Sequence, residues 1–348
     1  MPDDIIVPLR SPTAPISGLT ELQAHLEALS NDPSLRPDAK LLDQVELQLT
    51  GKKKSHPSLS SLLSQTGKQK KTDQHDQSAL LSLSIKLISP LSLSQSLVFA
   101  DRTSLLNALR SPHPAANLLA LAVVGKAASS PAEAEKLAEL PDIVVETLRR
   151  WLDSPDVGVG ERAAKVLARV LETDCGSAAE VVNGTCNDEP RPHGRHRIWP
   201  IIFEDDNNLA IIRHLCTLGH DPSRSTYDVT ISQGRLLRLL PPLAALDIRS
   251  VTAPTFLPDA NQGLLQWAGL SMVDKSDRLM HLSLVDFYES LVASMRHIPH
   301  ARDATLKSLV NTAARGDSVV DEALRTLADR VEDDDAPDVR SYVAYLLS

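Results

Sequence analysis

The sequence predicts an all-α fold, an α-solenoid of HEAT or armadillo-like helical hairpin repeats, on three observations. Hydrophobic residues make up 42% of the 348-residue chain but aromatics only 3%. Leu and Ala must therefore carry the packing, which suits helix-on-helix contacts better than a sheet. Second, Trp151 to Leu171 reads as a helical hairpin around the turn Ser154-Pro155-Asp156. Its second arm sets Val159, Ala163, Val166, Leu167 and Val170 on one stripe, with Glu161, Arg162, Lys165 and Arg169 opposite. Val144, Leu148, Trp151 and Leu152 do the same in the first arm. Two such amphipathic helices cannot bury both stripes alone, so a neighbour of the same kind is expected on each side. Third, the turn recurs. Pro112 precedes Pro155 by 43 residues and Pro337 follows it by 182, close to one and four units of roughly 45.

In chain order, residues 1–49 read as N-terminal capping helices. Leu19, Leu22, Leu26 and Leu29 share a face in a helix opened by Thr20, and a second helix starting at Pro37-Asp38 groups Leu41, Leu42, Val45 and Leu49. Residues 50–98 read as an insert. Lys52, Lys53, Lys54, Lys68, Lys70 and Lys71 lie in its aperiodic first part, read as a solvated segment ahead of a nuclear-localisation or nucleic-acid patch. From 79 to 98 Leu and Ser alternate. That spacing fits a strand, but Pro90 and the helical flanks favour two short helices or a helix and a loop.

Residues 99–348 read as the repeat array. Arg102 to Leu109 form a helix, Ser111-Pro112 a turn, and Leu118, Leu119, Ala122 and Val123 a second helix. Ala134, Leu137, Ala138 and Leu140 lead to a restart at Pro141-Asp142. Residues 174–197 break the pattern with Gly, Pro and polar residues and are expected to form a loop. Helices then follow on Leu209, Ile211, Ile212 and Leu215, and on Leu236, Leu237, Leu239 and Leu240, the latter stopping or kinking at Pro241-Pro242. A helix after Asp277 carries Met280, Leu284, Phe287, Tyr288, Leu291 and Met295 on one face and Leu279, Leu282 and Val285 on another, which predicts packing on two sides. Three more stripes, from Leu306, Val320 and Val339, complete the chain.

The formal net charge of -9 argues against a protein that coats nucleic acid with its whole surface. Three cysteines, Cys175, Cys186 and Cys216, form no paired framework, so a reducing cytoplasmic compartment, with the nucleus as a second, is the expectation. Neither a signal peptide nor a run of roughly 18 apolar residues is visible, so no membrane partner is expected and the Asn183-Gly184-Thr185 glycosylation sequence should be silent. Cys175, Cys186, His193 and His196 lack the close Cys pair of a structural zinc site and read as loop residues. His214, Cys216 and His220 likewise read as core or surface.

No Gly-rich phosphate loop, H-E-x-x-H or G-x-S-x-G occurs in the chain. The acidic runs Glu204-Asp205-Asp206 and Glu332-Asp333-Asp334-Asp335 read as solvated turns. No enzyme, cofactor or metal is predicted. A helical solenoid instead offers a concave surface lined by the second helix of each hairpin, a surface for binding macromolecules. Its candidate lining residues are Glu161, Arg162, Arg235, Arg238, Asp277, His281 and Arg340.

Several stretches between residues 100 and 300 carry a family resemblance. They are Arg197-Ile198-Trp199, Leu215-Cys216-Thr217-Leu218, the run from Gln233 to Pro241, Met272-Val273-Asp274-Lys275 and Leu279-Met280-His281. In these the chain resembles the fungal HEAT-like proteins that bear the name DNA mismatch repair protein, relatives of 26S proteasome non-ATPase regulatory subunit 5. The resemblance implies an assembly chaperone of the proteasome regulatory particle base. Its partner would be the C-terminal domain of a proteasomal AAA+ ATPase subunit, held on the concave face, with other base subunits beside it. It also implies a longer chain, hence an expectation that this one is shortened at its C-terminal end. A generic solenoid adaptor in nuclear transport or signalling, and a mismatch repair accessory protein, are the alternatives.

Overall fold

The computed structural model describes residues 18–32, 35–49, 77–175, 194–298 and 301–348. Among them it is all-helical, with 18 α-helices and no strand. The chain divides into two compact units, 1–126 and 127–348.

The first unit contains α1 (Leu19–Asn31), α2 (Ala39–Leu49), α3 (Gln77–Ile88), α4 (Leu93–Phe99), α5 (Arg102–Arg110) and α6 (Pro114–Val124). Leu22, Leu26 and Leu29 of α1 and Leu42 and Val45 of α2 meet Leu83 and Leu87 of α3 in one core. The Leu/Ser alternation is therefore helical in its packing: Leu83 and Leu87 stand four apart and fall on one face. Helix α3 rests on α2 and on α6. The Lys-rich part of the expected insert lies outside the described residues. Gly18, with φ at 83°, precedes α1, so that helix begins at Leu19 and not at Thr20. Pro90 lies in the turn between α3 and α4, and Ser92 opens α4 in a capping box with Gln95. At the Ser111-Pro112 turn, the Asn117 amide reaches the carbonyls of Ala108, Leu109 and Ser111 at 2.8, 2.8 and 3.0 Å. It satisfies acceptors that the end of α5 leaves open.

The second unit begins with α7 (Pro131–Ala138), α8 (Pro141–Asp153), α9 (Val157–Cys175), α10 (Ile198–Phe203), α11 (Asp206–Cys216) and α12 (Thr226–Leu246). It continues with α13 (Ile248–Thr252), α14 (Leu264–Leu270), α15 (Arg278–Met295), α16 (Ala304–Gly316), α17 (Ser318–Thr326) and α18 (Ala336–Leu347). The hairpin expected at Trp151 to Leu171 is α8 and α9, and all nine of its stripe residues are buried. Helix α9 packs on α12, α12 on α15 and α15 on α17; on the other side α14 meets α16 and α16 meets α18.

Four expectations change. Helix α12 does not stop at Pro241-Pro242 but runs on to Leu246. Leu243 and Ala244 beyond the prolines are buried, and that packing holds the last turn although two backbone donors are missing. Pro242 is exposed, and Pro242→Ala restores a donor toward the Arg238 carbonyl. We expect it to raise stability by about 1 kcal/mol in urea unfolding of the full chain. Pro337 does not repeat the turn of Pro155. It is the second residue of α18, whereas Pro155 stands two residues ahead of α9. Helix α15 does pack on two neighbours, α12 and α17, but of its expected second stripe only Val285 is buried, Leu279 and Leu282 being 76% and 50% exposed. Finally, α9 extends through Cys175, into the expected loop at 174–197; residues 176–193 lie outside those described.

Candidate partner-binding surface

Helix α9 turns its Val159 stripe inward, which leaves Arg162, Lys165 and Arg169 exposed. Between its two faces runs a row of small residues, Gly160, Ala164 and Ala168, set four apart so that they fall on one side of the helix. These face α12 across a groove of about 200 Å³, floored by Trp151 and closed by Arg235, Arg238 and Leu239. A second groove, of about 380 Å³, lies between α12 and α15 and is lined by Gly234, Arg238, Ser283, Asp286 and Glu289. Arg238 belongs to both, so the outer faces of the three helices form one surface.

The structure sorts the seven candidate residues. Glu161, Arg162, Arg235 and Arg238 come together on α9 and α12. Glu161 and Arg238 form an ion pair across the groove. Both are substantially solvated, so the pair contributes little stability. Arg162 is exposed. Arg235 is half-buried and committed to the fold: it donates to the carbonyls of Leu152 at 3.2 Å and Ser154 at 2.8 Å, at the end of α8. Burial lowers its pKa from the usual arginine value, and Glu161 and Asp153 counter that effect. The approach needs Gly160, because a Cβ there would stand 2.5 Å from the guanidinium carbon.

The other three are placed elsewhere. Asp277 caps α15, accepting from the amides of Leu279 at 2.9 Å and Met280 at 3.2 Å. His281 lies 2.8 Å from Asp317, ahead of α17. Arg340 is exposed on α18 and pairs with Asp329 at 3.3 Å. Asp277 and His281 therefore hold helix ends and do not line the grooves.

Sequence reasoning missed the groove itself. Trp151 and Leu239 read there as core, and Gly160, Ala164 and Ala168 drew no notice although their four-residue spacing was visible. Asp286 and Ser283 carried no signal, because two helices must be placed side by side before they face Arg238.

Cys175 and His196 line one cleft of about 370 Å³ with Asp247 and Arg249. The His196 ring stacks on Trp199 with centroids 5.4 Å apart and lies 3.0 Å from the Asp247 carboxylate. A thiol, an imidazole and a carboxylate together suggest nucleophilic chemistry, but the electrostatics oppose it. Burial pushes the Cys175 thiol up, and Asp247 and Asp174 push it further, so the thiolate is disfavoured. Its Sγ also contacts the Leu246 carbonyl at 3.5 Å. Cys216 is fully buried and its thiol is raised more strongly still. Among the described residues no group of three His, Cys, Asp or Glu side chains could hold a metal ion, and no helix is long and apolar enough to cross a membrane. Cys186 and His193 lie outside the described residues. No protein-family model and no curated protein sequence matches this chain.

Proposed function

We propose that the second unit is a segment of helical solenoid and that it works as a non-enzymatic binding scaffold. The single observation that carries this reading is the shared surface of α9, α12 and α15, where two adjacent grooves meet at Arg238. A row of neighbouring helices with their outer faces free is the physical basis of macromolecular recognition in stacked hairpins. Exposed Leu282 beside the second groove adds apolar area that a partner would cover.

The resemblance to the proteasome-associated HEAT-like family supplies the identity of the partner. In this proposal the surface holds the C-terminal domain of a proteasomal AAA+ ATPase subunit, in the cytoplasm or nucleus, while the regulatory particle base assembles. Affinity purification of the tagged full chain should then recover proteasomal ATPase subunits. Reversing charge in both grooves, with Arg238→Glu and Asp286→Arg together, should lower that recovery at least tenfold, since buried mismatched charges at an interface are costly. A wild-type preparation devoid of ATPase subunits would refute the proteasome reading.

A further inference from the structure

We propose that the groove between α9 and α12 seats an acidic peptide segment that inserts one apolar side chain, a proposal that rests on the binding role above. Size comes first. At about 200 Å³ the groove is smaller than the roughly 300 Å³ at which small-molecule pockets begin. Its Trp151, Ala164, Ala168 and Leu239 walls are apolar. That space suits a single Leu or Phe side chain.

Charge then decides the class of occupant. Arg162, Lys165 and Arg169 stand at i, i+3 and i+7 on the exposed edge of α9. With a rise of 1.5 Å per residue they span about 10 Å of helix. None of the three has an ion-pair partner among the described residues, whereas Arg238 is paired with Glu161 and Arg235 is spent on the end of α8. Lys165 and Arg169, four apart, repel one another. The stripe is a local concentration of positive charge in a chain of net charge -9, and carboxylates about 10 Å apart along a bound segment would neutralise it. A nucleic acid would supply the charge but no aliphatic side chain for the groove.

Fluorescence anisotropy with the full chain tests this, using a short labelled peptide in which Asp and Glu flank one Leu. Wild type should bind it roughly tenfold or more tighter than a peptide with Asn and Gln for the acids, or with Ala for the Leu. Ala168→Phe, which fills the groove, and the exposed triple change Arg162→Glu, Lys165→Glu and Arg169→Glu should each weaken binding at least tenfold. Added salt should weaken it as well. If Ala168→Phe does not fold, the triple variant decides alone. Equal binding of all the peptides, unchanged affinity in the triple variant, or tighter binding of a labelled single-stranded oligonucleotide overturns the proposal. Recovery of ATPase subunits alongside a failed peptide assay refutes this proposal and spares the proposed function; the converse result refutes the proteasome partner and spares the groove.

Discussion

Asp174→Ala is expected to destabilise the second unit by about 3 kcal/mol, because one carboxylate there closes the gap between two helices. Asp174 is only 1% exposed, near the end of α9. Its carboxylate accepts from the amide of Arg197 at 3.1 Å and of Ile198 at 2.7 Å. Those are the first donors of α10, whose N-cap residue Arg197 supplies no side-chain cap of its own. The cap thus comes from 23 residues earlier in the chain. The backbone joins in: the Asp174 carbonyl accepts from the amide of His196 at 3.0 Å, and Gly194 lies so close that a Cβ would stand 2.0 Å from that oxygen. Hydrogen bonds to a charged acceptor contribute about 1.5 to 3 kcal/mol each, and Ala would leave both amides without it. Asp174→Asn keeps one acceptor oxygen and should lose about half as much. Urea unfolding of the full chain measures the loss, and hydrogen exchange at Ile198 locates it. A change below about 1 kcal/mol in the Ala variant would show that water replaces the carboxylate.

The same residue shows where sequence reasoning runs out. Periodicity identifies the buried face of a helix, because apolar spacing of three and four is imposed by the helix itself. The Val159 stripe of α9 and the Met280 stripe of α15 were legible for that reason. It does not say how many sides of a helix are covered. Leu279 and Leu282 looked like a second packed face, but coverage depends on a neighbour whose position is not encoded locally. Nor does it reveal a cap supplied from far along the chain. Asp174 read as the first residue of a loop because its two partners are 23 and 24 positions away. Among the candidate binding residues the division is similar. Glu161 and Arg238 were found as exposed charges and do lie on one surface, although their pairing needed the contact between α9 and α12. Asp277 looked like a surface acid, yet its place just ahead of a helix is the position where an acid caps.

Asp317 makes stability depend on pH in the acid range, and its neutralisation should cost about 2 kcal/mol near pH 7. It caps α17, accepting from the amides of Val319 at 3.1 Å and Val320 at 3.4 Å. Its other oxygen lies 2.8 Å from both Lys275 and His281. Burial alone would raise the carboxyl's pKa. The contacts with Lys275 and His281, the Val320 amide and the Lys275 charge outweigh it, and the value falls from 3.8 to about 2. A pKa lower in the folded state than in the unfolded one means that folding favours the ionised form. That contribution is fully present above about pH 4 and is lost as pH falls toward 2. Asp317→Asn retains a cap acceptor but no charge, so its deficit against wild type should be full at neutral pH and shrink between pH 4 and pH 2. Asp317→Ala should lose about 1 kcal/mol more at every pH, because the cap goes too. Urea titrations of the three proteins across this range measure both effects, and a pH-independent gap between wild type and Asn would contradict the charge assignment. The outcome also bears on His281, which sequence reasoning had assigned to a partner. Its imidazole is engaged with Asp317 at the start of α17, so His281→Ala should lower stability while leaving capture of a partner on the α9, α12 and α15 surface unchanged.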